Sequence, residues 1–220
     1  TKHISIAQSS GLNKEVGIDM SDFITVRHQR IKATELKKEM PHVILTSQNA
    51  VESLIDSADG RDLNIGNIYC VGRRTKRLIE KRLGKVAHTA NSARKLAEYL
   101  VDNFDQPQEF TFFCGDLRRD ELPLILEKHN HTVHEVVSYL TLMTPDELKN
   151  QYDGLLFFSP SGIESYLQRN KPGTEVAFCI GATTAGAAGK AFQTVIEAKS
   201  PSVEAVIQSV NDHFESIEGS

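Results

Sequence analysis

The feature that most constrains this chain is an internal repeat. Val43–Ile55 (VILTSQNAVESLI) aligns with Leu155–Leu167 (LLFFSPSGIESYL) at an offset of 112 residues. Ile68–Thr75 (IYCVGRRT) then aligns with Ala177–Thr184 (AFCIGATT) at an offset of 109, and the same offset relates Val86–Asn91 to Val195–Ser200. Order-preserving self-similarity of this kind means two copies of one structural unit with small length changes between them. At roughly 100–200 residues per domain, a chain of 220 residues has room for two small units.

Each copy reads as α/β. Short runs rich in β-branched and aromatic residues alternate with helical patterns. The strand candidates are His3–Ala7, Val43–Thr46, Ile68–Val71, Val86–His88, Phe110–Phe113, Leu155–Phe158, Val176–Ile180 and Thr194–Glu197. Helices are expected over Ala50–Ala58, Thr75–Leu83, Ala93–Phe104, Glu121–Lys128, Ile163–Arg169 and Val203–Phe214. Apolar strands alternating with helices imply parallel sheets covered on both faces. Phe23–Ile31 and Thr132–Leu142 lie outside the repeat and alternate apolar with polar residues, which marks strands with one wetter face. They bracket the first copy. The expected organisation is an inserted lobe at 32–131, a discontinuous lobe of 1–22 plus 143–220, and 23–31 with 132–142 as a two-stranded connector. Two lobes so joined would leave a cleft between them.

Composition narrows the function. A net charge of −4 argues against general nucleic-acid binding, and no apolar run is long enough to span a membrane. Cys70, Cys114 and Cys179 are odd in number and widely spaced, which suits neither a disulfide framework nor a zinc motif. A cytoplasmic, monomeric protein is the expectation. His131 and His134 fall on opposite faces of a strand, which spoils them as a metal pair, and with no Cys or carboxylate ligands at metal spacing His129, His131 and His134 read as solvated polar residues. No Walker loop or GxGxxG follows any strand.

The repeated motif follows a strand and opens a helix in both copies. Asn49 with Glu52, and Ser161 with Glu164, have capping-box spacing. Ser159-Pro160 and Ser200-Pro201 read as helix starts, and Gly72 and Gly181 lead into Thr75 and Thr183/Thr184. Such residues are ordinarily caps, each worth about 1 kcal/mol. All of them, however, fall at the C-terminal ends of parallel strands, where open α/β sheets bind ligands. Unpaired N–H groups at several helix starts suit a ligand with many carboxylates or phosphates. Arg73-Arg74 and Arg118-Arg119 follow strands at the same edge, as carboxylate partners or as solvated helix starts. Tyr139, in the second alternating strand, is a packing residue or a phenol able to donate a proton.

The set of motifs at 46–51 (TSQNAV), 71–75 (VGRRT), 113–123 (FCGDLRRDELP), 157–163 (FFSPSGI) and 180–185 (IGATTA), in this order, resembles the uroporphyrinogen-III synthases over nearly the whole chain. The resemblance implies two flavodoxin-like lobes joined by a two-stranded ladder. It also implies an enzyme of tetrapyrrole biosynthesis that cyclises hydroxymethylbilane, which carries eight carboxylates, to uroporphyrinogen III. In that reaction the terminal hydroxyl leaves as water and ring D is inverted through a spiro intermediate, without cofactor or metal. Tyr139 matches the family's connector-strand tyrosine, the candidate acid for hydroxyl departure. Thr75, Thr183 and Thr184 match its threonines, and Ser47, Ser159, Ser161 and Gly162 its substrate-facing helix starts; Asn49, Arg73 and Arg118 complete the candidate binding set. The family's helix before the first alternating strand has little room in Gln8–Asp22. A non-catalytic two-lobed sensor on the same scaffold is the alternative, and a nucleotide- or flavin-binding protein is a second.

Overall fold

The structure, a computed structural model, describes residues 17–34, 36, 39–58, 63–118 and 120–218, with side chains as far as Ser216. The strand expected at His3–Ala7, most of Gln8–Asp22 and Arg119 lie outside the described residues. The chain divides into two units. One comprises residues up to Thr25 and from Leu142 onward, the other Val26–Thr141.

The second unit carries nearly all of a six-stranded sheet. Strand β1 (Ile24–His28) is followed by β2 (Glu39–Leu45), helix α1 (Gln48–Ala58), β3 (Asn64–Val71), α2 (Arg73–Arg82), β4 (Val86–Ala90), α3 (Ala93–Asn103), β5 (Glu109–Gly115), α4 (Glu121–Lys128) and β6 (Thr132–Met143). The sheet order is β1-β6-β5-β2-β3-β4. Strands β2 to β6 are all parallel. Counted from β2, that order is 3-2-1-4-5, which departs from the 2-1-3-4-5 of a flavodoxin-like sheet. After β4 takes the outer place beside β3, the chain crosses back through α3 and lays β5 on the far side of β2. Connections therefore leave β2 and β5 in opposite directions, which creates a switch point above their C-terminal ends.

Burial explains why these segments are strands. Val43, Ile44, Leu45, Phe110 and Phe113 are wholly buried, as continuous apolar runs covered on both faces must be. β6 keeps the expected alternation at its centre, where Val136 and Ser138 are buried and Val137 is exposed. β1 runs antiparallel to β6. Gln29 N–H donates to the Ser138 carbonyl at 2.9 Å, and Thr144 N–H to the Phe23 carbonyl at 3.0 Å, so the partners rise on one strand as they fall on the other. Ser53 of α1 donates into the same ladder, towards the Gln29 carbonyl at 2.9 Å and the Ser138 carbonyl.

The first unit holds β7 (Gly154–Phe157), α5 (Pro160–Leu167), β8 (Val176–Cys179), α6 (Ala182–Ala188), β9 (Thr194–Glu197) and α7 (Val203–Glu218). Its described strands form a parallel sheet in the order β7-β8-β9. The repeat is visible in the register. Val43 pairs with Ile68, and its counterpart Leu155 with Ala177; Leu45 pairs with Cys70, and Phe157 with Cys179. The copies part at the outer strand. β4 holds an extra residue, because Ile68 faces Val86 whereas Tyr69 already faces His88. β9 follows β8 without a shift. α6 is a short Ala-rich helix that follows Gly181.

A buried polar cluster lies below the sheet's other end. His42 bonds Gln108 Oε1 at 3.3 Å and Tyr69 Oη at 3.4 Å, and His131 Nδ1 accepts from the Gln108 N–H at 3.1 Å. The rings of Phe104 and Phe110 pack against both histidines. His131 is thus a buried acceptor and not the solvated residue expected from sequence. Burial lowers both imidazoles below the usual 6.5, with His129 adding to the shift at His131. A depressed folded value means that the unfolded chain takes up the proton first. Their stabilisation is therefore complete above about pH 6.5 and is lost as pH falls toward the folded values. We expect the urea midpoint to drop between about pH 7.5 and 5.5, and to drop less in a His42→Gln/His131→Gln variant. Equal acid sensitivity in the two chains would clear these histidines of the effect.

Candidate active site

The start of α1 is set by a hydroxyl. β2 ends at Leu45, and after Thr46 the Ser47 Oγ accepts the Ala50 N–H at 3.1 Å. The counterpart in the other copy behaves identically, with Ser159 Oγ accepting the Gly162 N–H at 3.1 Å. Both caps lie two residues before the expected pairs. Asn49 sits inside the first turn of α1, and Ser161 hydrogen-bonds Ser159 at 3.0 Å instead of capping through Glu164. At α7 the displacement runs the other way, with Ser202, two residues after Ser200, taking the Ala205 N–H at 3.1 Å.

The next helix of each copy starts differently. α2 is capped by Gly72, whose φ of +84° is a left-handed conformation that favours glycine, and α6 by Gly181. Neither cap supplies a side-chain acceptor. The start of α2 therefore has no side-chain cap of its own, and the positive end of the helix dipole lies there. Thr75 and Thr184 occupy the same repeat position, the third residue of their helices, and both are buried. Thr183 is exposed beside Thr184, and Arg73 is exposed at the head of α2.

Tyr139 comes to the switch point across β5. It pairs with Gly115 in the β5–β6 register, and the Asp116 N–H donates to its carbonyl at 3.2 Å. Its ring lies directly over Gly115: a Cβ there would meet Cε2 and Cζ at 2.5 Å and the phenol oxygen at 2.8 Å. Beyond that glycine the phenol comes within reach of the Ser47 side chain. The Ser47 hydroxyl that caps the first turn of α1 is thus also the side chain nearest to act on the Tyr139 phenol. Burial pushes the phenol above its ordinary value near 10, the Ser47 hydrogen bond pulls it down by less, and Cys114 and Asp116 add to the rise. It is protonated at neutral pH and can donate.

Arg118 is committed within the unit. Its Nε is ion-paired with Glu135 of β6, and Nη1 lies 3.5 Å from Asp120. Burial holds the nearby Cys114 thiol up at about 11, so it is no nucleophile at neutral pH. The structure brings Tyr139 and Ser47 together and sets Arg73 and Thr75 at the neighbouring helix start. Ser159, Ser161, Gly162, Thr183 and Thr184 form the corresponding edge of the other unit. Gly115, which the Tyr139 ring overlies, is not among the candidates read from the sequence. Its only signal in the sequence was a glycine ending an apolar strand.

A family model described as Uroporphyrinogen-III synthase HemD matches residues 20–208. The chain belongs to the uroporphyrinogen-III synthase family. A uroporphyrinogen-III synthase of Saccharomyces cerevisiae is 29% identical over 157 residues, which cover 58% of this chain and 57% of the yeast protein. Among solved structures, a uroporphyrinogen-III synthetase from Helicobacter pylori has a TM-score of 0.67 at 20% identity, covering 87% of this chain and 91% of that one. A mutant uroporphyrinogen III synthase from Thermus thermophilus gives 0.60 at 14% identity, with 88% of each chain covered. At these identities the solved synthases speak for the fold: α/β with mainly parallel sheets. Among the described residues no helix is long and apolar enough to cross a membrane, and no cluster of His, Cys, Asp or Glu could hold a metal.

Proposed function

We propose that this chain is a uroporphyrinogen-III synthase, cyclising hydroxymethylbilane with loss of water and inversion of ring D. The observation that carries this reading is the Tyr139 phenol, laid over Gly115 beside the start of α1 at the switch point of the second unit's sheet. In the proposed reaction Tyr139 gives its proton to the departing hydroxyl, and the substituted ring loses its pyrrole N–H proton to become an electrophilic azafulvene. Ring D attacks through its substituted carbon, and the spiro intermediate fragments and recloses inverted. The substrate is reactive enough to close unaided to the uninverted isomer, so holding it in the right fold supplies most of the specificity. Carboxylates of the substrate would be drawn to the starts of α1 and α2, with Arg73 beside them. Each such contact contributes about 0.3–1 kcal/mol, so eight carboxylates spread over several helix starts suit the arrangement.

We also read residues 32–131 as an inserted lobe, with 23–31 and 132–142 as the strands that join it to the lobe of 1–22 and 143–220. The division of the chain inside β1 and β6 supports that reading. The decisive experiment is isomer analysis after incubation with enzymatically generated hydroxymethylbilane. Formation of only the uninverted isomer would sink the proposal and leave a binding module on the same scaffold. Tyr139→Phe should lower the inverted product severalfold, with an unchanged unfolding midpoint. Unaltered turnover would remove Tyr139 from the mechanism.

A further inference from the structure

Charge in this protein is segregated. Of the thirteen residues 73–85, seven are Lys or Arg and only Glu80 is acidic, in a chain whose net charge is −4. These residues are α2 and the turn that follows it. The helix buries only Thr75 and Ile79, and it pairs Lys76 with Glu80 at 3.6 Å. Arg73, Arg77, Lys81, Arg82 and Lys85 are exposed, and none of them joins an ion pair among the described residues.

A helix that served only as a cover would mix its signs. Arg73, Arg77 and Lys81 stand four residues apart, so like charges face one another along the helix and repel. α3 is mixed, with Glu98 and Asp102 among its bases. The basic row also has a direction. It begins at Arg73, the first residue after the uncapped Gly72 start, at the strand-end edge that holds Ser47 and Tyr139, and it runs from there down the outside of the sheet.

We propose that the basic face of α2 captures the polycarboxylate substrate and guides it to the strand-end site, raising the rate of association without touching the chemistry. This rests on the synthase reading, since it takes its anion from that reaction. Fixed charges of one sign raise the arrival rate of an oppositely charged ligand by about 10- to 1000-fold, and salt removes the effect. The guiding residues lie beyond the reacting groups, so their signature is in kcat/KM and in its dependence on ionic strength.

The test compares the full chain with an Arg77→Gln/Lys81→Gln/Arg82→Gln variant, whose glutamines are good helix formers. Stopped-flow association of an octacarboxylate porphyrin is the readout that does not need turnover. At about 20 mM salt the variant should associate roughly tenfold more slowly, and near 0.5 M the two should converge. kcat/KM for hydroxymethylbilane should fall in parallel at low salt, with kcat and isomer ratio held. Equal porphyrin association at low salt would overturn the proposal. So would loss of double-stranded DNA binding with porphyrin association intact, which would assign the face to nucleic acid. If the unaltered chain yields only the uninverted isomer, the synthase reading falls, and the porphyrin rates still decide what α2 does.

Discussion

Gly115→Ala should cut formation of the inverted isomer on the order of tenfold, equivalent to about 1.4 kcal/mol of barrier. The added methyl carbon would sit 2.5 Å from two carbons of the Tyr139 ring, so the ring must swing away and the phenol must leave Ser47. Backbone strain is not the cause, because no left-handed φ occurs at this position. The loss comes from the space that glycine leaves for a ring reaching from β6 over β5 to the end of β2. A double-mutant cycle isolates that contact. In a Tyr139→Ala background, where no ring remains to collide, Gly115→Ala should cost less than about twofold. A tenfold loss in both backgrounds would mean that Gly115 acts without Tyr139.

The second large effect is structural and lies in the other unit. Phe178→Ala should destabilise it by about 3–5 kcal/mol, the usual cost of emptying a buried phenylalanine site. Phe178 is fully buried in β8, the middle strand of its sheet. Its ring packs edge-on to His213 at 5.7 Å and tilted against Phe214 at 6.1 Å, both on α7. Removing it opens a cavity between the sheet and the helix that closes one face. Denaturant unfolding would report the loss, and a cost below about 1 kcal/mol would mean that α7 does not pack on β8 as described.

These two positions were differently legible in the sequence. Phe178 stood in a repeated apolar strand, and the repeat carried the pairing of β7 with β8 as faithfully as that of β2 with β3, since strand register follows the buried pattern. The helix starts were legible only to within a turn. Ser47 and Asn49 both offer a capping side chain, and Asn49 has the better box with Glu52. The choice fell to Ser47 because β2 ends at Leu45 and the chain must turn at once. His131 looked like a surface residue until its neighbours Phe104 and Phe110 closed over it. The Tyr139–Ser47 contact joins residues far apart in sequence and depends on the strand order β6-β5-β2, which alternation and composition do not encode. The pairing of Arg118 with Glu135 depends on the same order, so a side chain that looked free for a ligand proved engaged.

The extra residue in β4 bears on how these molecules behave when crowded. An outer strand shows an unpaired row of backbone groups that another chain can extend. In β4 that row is broken at Ala87, where the β3 pairing jumps from Val86 to His88, and the His88 ring lies stacked on Tyr99 of α3. A bulge twists the edge and spoils it as a template. Among the described strands β9 occupies the same outer place in its own sheet, is paired evenly throughout, and has no such interruption. Two copies of one unit thus enter solution with unequal protection against sheet-to-sheet joining, and β9 is the edge on which a gatekeeper charge or proline would do most to keep the protein from aggregating.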